Sequence, residues 1–171
     1  MIQAGNNHYQ TIAEIEYLIN GFNQCTLPRS LWNHHAHLSI ALWYLLHYDQ
    51  PTAIKLIHEG IQQYNSAMNI KTSKNSGYHE TITLFWIYLV DSYVALVKTT
   101  KNLDSDSLLN LFNDLIHIYG NKNLPFEYYS RDLLMSSKAR QIWVVPDLKA
   151  IPIIWQLSIS SRYSYLVSNN F

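Results

Sequence analysis

A single cysteine, Cys25, gives this chain no intramolecular disulfide and no thiolate cluster for zinc. That fits a reducing compartment, so the cytoplasm is the expected location. Glycine is scarce too, with five residues scattered along 171. No glycine-rich phosphate loop can be assembled from them, and a nucleotide cofactor has little support. Charge is the third shortage: only 14% of residues are Asp, Glu, Lys or Arg, against roughly 25% in an average soluble domain. Twelve cations balance twelve anions. No long-range field draws in nucleic acid or an anionic membrane, and neither is an expected partner. A small acidic or neutral ligand is compatible with this balance.

The sequence also lacks a long uninterrupted apolar run. Ile82 to Val97 comes nearest, but Asp91 and Ser92 break it, and a spanning helix needs about 18 to 20 apolar residues. A helix buried on all sides by its neighbours is the expected reading. Met1 to Tyr9 carry no basic stretch and no apolar run, so no secretory signal is expected there.

What is present is helical periodicity. Thr11-Ile-Ala-Glu14 reads as a capping box, and Ile12, Ile15, Ile19 and Phe22 then fall on one face. Ser30 reads as the N-cap of a second helix, with Trp32, Ala36, Ile40, Trp43 and His47 as its stripe. Asp49-Gln-Pro51 opens a third, marked by Ala53, Ile54, Ile57, Ile61 and Tyr64. A polar loop from Lys71 to Gly77 precedes a fourth helix from His79 to Lys98. A fifth starts within Asp104 to Ser107 and stops at Gly120. Phe126 to Leu134 and Ser136 to Trp143 are shorter candidates, with Pro125 suited to a first turn.

These elements make an all-α domain over residues 1–150, a compact up-and-down bundle of five to seven helices. Residues 151–171 form a tail in which Trp155, Leu157 and Ile159 alternate with polar residues, and Tyr163, Tyr165 and Val167 repeat the parity. That is strand periodicity, and an isolated pair of strands is marginal in water, so this short β-like tail is expected to pack on the helices, pair with another chain or stay disordered.

The chemistry concentrates at Leu31-Trp-Asn-His34-His35-Ala-His37-Leu38. Positions three apart share a helical face, so His34 and His37 converge and His35 points about 100° away. Two neutral imidazoles are half of a divalent metal site. Ser76-Gly77-Tyr78-His79-Glu80-Thr81 supplies the other half if His79 faces that pair, leaving a coordination position open as catalytic zinc sites do. Zinc or iron is the expected metal. Glu80 is the candidate acid/base or fourth ligand, with Tyr78 as a hydrogen-bond donor to substrate. Arg131 and Arg140 are candidate clamps for a substrate carboxylate. The competing readings are helix capping for His79 and Glu80, packing for Tyr78, and carboxylate or helix-end partners for the arginines.

The motif pair Asn33-His-x-x-His37-Leu38 and Gly77-Tyr-His-Glu-Thr81 resembles that of a family of small uncharacterised bacterial proteins. Tyr128-Tyr-Ser-Arg131, Ser136-x-x-Ala-Arg140 and Pro146-Asp-Leu148 extend the resemblance over roughly Ser30 to Leu148. No activity comes with it. Because the middle histidine is not constant in that pattern, the resemblance favours His34 and His37 over His35. The leading expectation is a metal-dependent enzyme acting on a small molecule, by hydrolysis, elimination or iron-dependent oxidation. Two alternatives stand beside it. One is a non-catalytic helical module, since Ala41 to Tyr64 approximates one tetratricopeptide unit with no second copy. The other is a metal or haem carrier. A homo-oligomer is compatible with each of them.

Overall fold

A computed structural model describes residues 8–73, 76–98 and 105–151. The strand periodicity read from Trp155 to Val167 lies outside the described residues, as does Asp104. Among the described residues the protein is all α, with helices α1 (Ile12–Asn23), α2 (His34–His47), α3 (Gln50–Ala67), α4 (Glu80–Lys98), α5 (Ser105–Tyr119), α6 (Arg131–Leu134) and α7 (Ser137–Gln141). Short 3-10 turns occupy Arg29–Leu31 and Leu124–Glu127.

Local chemistry sets most of the helix starts. The Glu14 carboxylate reaches back to the amides of Gln10 (2.6 Å) and Thr11 (3.4 Å), satisfying donors that the first turn of α1 leaves free. Asp49 accepts from the Thr52 amide at the start of α3, Ser130 from Leu133 in α6, and Ser136 from Ala139 in α7.

The second helix differs from its sequence reading. Ser30 lies inside the 3-10 turn, and the cap is Asn33, whose side chain accepts from the Ala36 amide at 3.1 Å. Asn33 is extended, with φ −117°, the backbone an N-cap requires, and its side-chain oxygen reaches the third amide of the helix. The α2 stripe also differs. Ala36, Leu38, Ser39, Ile40, Ala41, Leu42 and Leu45 are buried almost all round, because α1, α3, α4 and α5 all pack on this helix. Trp43 and His47 point outward and cover each other, with ring centroids 4.3 Å apart.

The stretch expected as one helix from Phe126 to Leu134 is instead a 3-10 turn and a single α turn. Ser130 breaks it: its backbone is extended (φ −60°, ψ 149°) and its amide donates to the Asp147 carboxylate at 2.7 Å. Asp147 thereby draws the last described segment back over the domain. Leu148 and Lys149 donate to the Tyr128 carbonyl, and the buried Tyr129 hydroxyl donates to Val144. Fully buried Thr81 completes the strap, donating to the Ile142 carbonyl (2.8 Å) and accepting from the Val144 amide (3.2 Å).

At the centre, α2 and α4 pack side by side, with α3 against both. Helix α4 is 19 residues long and apolar enough, by length and composition, to cross a membrane, but most of it is buried within the protein. One close approach needs glycine. A Cβ at Gly60 of α3 would sit 2.6–2.7 Å from the ring of Phe22, itself stacked on Trp32 at 5.1 Å.

Candidate functional site

A cavity of about 550 Å3 opens between α2, α3 and α4. The capped start of α2 contributes His34 and His37, α3 contributes Ile57, Ile61 and Asn65, and α4 contributes Ile82, Thr83, Trp86 and Ile87. Ser76 to His79 close one side, and Trp32 stands where the 3-10 turn leads into α2. Its size is that of an ordinary small-molecule site.

The three imidazoles named from the sequence all line this cavity, but each has a different environment. His34 places Nε2 3.0 Å from the Tyr119 carbonyl. A carbonyl only accepts, so Nε2 carries the proton and Nδ1 keeps its lone pair. The ring packs 4.4 Å from Trp86. Burial pushes its pKa below the ordinary value, partly offset by the Tyr119 bond, and the charges of His35 and Lys122 push the same way as burial.

The His37 amide donates to the Asn33 carbonyl (3.1 Å), but its imidazole has no hydrogen-bond partner among the described residues. Its ring lies 4.0 Å from Trp32. Burial, with a lesser contribution from His34, brings its pKa down to about 4, so it is neutral at pH 7. The residue is half-buried and lines the cavity. One nitrogen can donate and the other accept.

His79 is committed elsewhere. Its Nδ1 accepts from the Ile82 amide at 3.3 Å, and its Nε2 donates to the Leu134 carbonyl at 2.8 Å. It is the N-cap of α4, with an imidazole in the place usually taken by Ser, Thr, Asp or Asn. Burial lowers its pKa first, and nearby Arg140 lowers it further, against the opposing effects of its backbone hydrogen bonds and Glu80. Neutral His79 has no lone pair left over. Of the three expected ligands, only His34 Nδ1 and the His37 nitrogens are open, and among the described residues no three His, Cys, Asp or Glu side chains form a group able to hold a metal ion.

The other named residues divide between the cavity and its surroundings. Tyr78 lines the cavity, and its hydroxyl donates to Glu80 Oε2 at 2.5 Å. The same oxygen lies 3.8 Å from Nε2 of His58 in α3. Glu80 therefore sits in the first turn of α4 against Tyr78 and His58, outside the cavity lining, where the helix dipole favours a carboxylate. Arg140 does reach the cavity, and it donates to the carbonyls of Ser76 (3.3 Å) and Tyr78 (2.9 Å), pinning the segment that leads into α4. Arg131 does not reach it. It is exposed, with its guanidinium 5.5 Å from the Phe126 ring centroid.

Several lining residues were not singled out by sequence reasoning as functional. Trp32 and Trp86 read as core, and Arg29 and Lys122 sit in no motif. The Asn65 amide lines the cavity, nearly buried, without a hydrogen-bond partner among the described residues. Position on the inner stripe of α3, one residue after Tyr64, was its only signal: a polar group there is costly unless something pairs it. No protein-family model, curated protein or solved structure matches this chain.

Proposed function

We propose that the protein binds a small organic molecule in the cavity between α2, α3 and α4. The observation that carries this reading is a pair of polar groups left open to that cavity, the half-buried His37 imidazole and the nearly buried Asn65 amide, which line it together with the indoles of Trp32 and Trp86. Polar groups in such a cavity are normally paired, and a ligand able to both donate and accept would pair these two while its apolar part packs on the indoles. Neutral His37 also has the form a general base requires if the bound molecule reacts there.

The test is a compound library read by thermal shift and tryptophan fluorescence. A true occupant raises the melting temperature and perturbs emission, and Trp32→Phe and Trp86→Phe each remove part of the fluorescence response. A binder whose response survives in both variants sits elsewhere and defeats the proposal.

A metal-dependent enzyme is the second reading, favoured by three imidazoles lining one space. It requires His79 to leave both the Ile82 amide and the Leu134 carbonyl, or a ligand of another kind to join His34 and His37. Metal content of untagged protein, compared with His34→Ala and His37→Ala, tests it. Equal content in all three removes it.

A further inference from the structure

The cavity lining is charged on one side only. Arg29, Lys122 and Arg140 all line it, and no Asp or Glu among the described residues does, although the whole chain has equal numbers of each sign. Glu80, the carboxylate expected at this site, faces the Tyr78 hydroxyl and His58 instead. Arg140 is engaged with two backbone carbonyls. By contrast, neither Arg29 nor Lys122 makes an ion pair or side-chain hydrogen bond among the described residues, and both are exposed at the cavity's outer edge. Trp32, Trp86, Ile57, Ile61 and Met135 contribute the apolar part of the lining.

From this asymmetry we infer that the ligand is an organic anion, an aromatic or similarly apolar body bearing a carboxylate that is drawn to the uncompensated cations Arg29 and Lys122 while the body packs on the indoles of the lining. This rests on the binding function proposed above and adds the chemical class of the ligand. An arginine offers a planar fork to a carboxylate and a lysine a mobile point charge, so the pair accepts an acid without demanding one geometry. Inside the cavity, His37 and Asn65 are free to hydrogen-bond a polar substituent on the body. The same lining disfavours cations, since no carboxylate among the described residues is there to receive one.

The experiment compares three probes of one shape by titration calorimetry: naphthalene-2-carboxylate, its primary amide 2-naphthamide, and 2-naphthylmethylammonium. The acid is expected to bind at least about tenfold more tightly than the amide, and the ammonium most weakly. Raising sodium chloride should narrow the gap, because both cations are exposed and therefore screened. In the Arg29→Gln/Lys122→Gln double variant the acid is expected to bind no better than the amide. Both positions are on the surface, so the fold should survive, and circular dichroism checks this. Equal affinities for acid and amide in the native protein, or an acid preference that persists in the double variant, overturns the anion class while leaving the cavity as a binding site. Failure of all three probes to bind overturns both.

Discussion

His79 separates two accounts of the motif Gly77-Tyr-His-Glu-Thr81, and replacing it gives a quantitative test. In His79→Ala the Ile82 amide loses its cap, a loss that costs about 1 kcal/mol in typical helices. The carbonyl of buried Leu134 loses the Nε2 donor 2.8 Å away, and leaving such a group without its partner costs about 1–3 kcal/mol. The sum is a destabilisation of roughly 2–4 kcal/mol. For a chain of this length that lowers the melting temperature by roughly 5–15 °C. In His79→Asn the side-chain oxygen can take over the Ile82 amide, as Asn33 does for Ala36 in α2. It should recover about 1 kcal/mol of the loss without restoring the link to Leu134. Urea unfolding followed by tryptophan fluorescence measures all three proteins. If His79→Ala unfolds at the wild-type midpoint, or His79→Asn is no more stable than His79→Ala, the capping account is wrong. Repeating the series with added zinc separates the alternatives: a ligand histidine predicts metal stabilisation of the native protein that both variants lack.

Other consequences follow from the same geometry. The His37 pKa of about 4 lies below the unfolded value near 6.5, so the unfolded chain binds the proton more tightly. Its contribution is complete above about pH 6.5 and is lost as pH falls towards 4. The loss amounts to about 3 kcal/mol, and His34 and His79 shift in the same direction. Urea unfolding of native protein and His37→Gln at several pH values measures this as a difference in slope, and parallel curves would refute it. Gly60→Ala should destabilise by about 1–2 kcal/mol despite the helix preference for alanine, because the Phe22 ring it meets is buried and stacked on Trp32. A raised melting temperature would show that the ring moves freely. Thr81→Val keeps the shape but removes both bonds to the strap, and should cost about 2–3 kcal/mol in chemical denaturation. Hydrogen exchange should rise at Val144, whose amide loses its acceptor, and unchanged protection there would refute this role for Thr81.

The parts of the fold legible in the sequence are those governed by interactions within about one helical turn. The inner face of α3, with Ala53, Ile54, Ile57, Ile61 and Tyr64, is buried where its spacing places it. The Glu14 contacts at α1 and the Asp49 cap at α3 also form where expected. Ser30 and the stripe of α2 were misread for opposite reasons. A better cap lay three residues on at Asn33, and α2 has neighbours around most of its circumference, so its buried face is far wider than the single stripe of Ala36 and Ile40.

Sequence alone determined that helices form, that they are all-α in the described region, and that His34 and His37 share a face, because each follows from the repeat of one helix. Only the tertiary structure decided what the histidines do. The Tyr119 carbonyl that engages His34 is 85 positions away, and the Leu134 carbonyl that engages His79 is 55 away. Likewise Arg29, Asn65, Lys122 and Arg140 come from four separate segments to line one cavity. Local periodicity fixes the direction of a side chain around its own helix axis, while the atom it finally meets depends on how several helices pack. That packing is a sum over many weak contacts between distant residues, and no short motif records it.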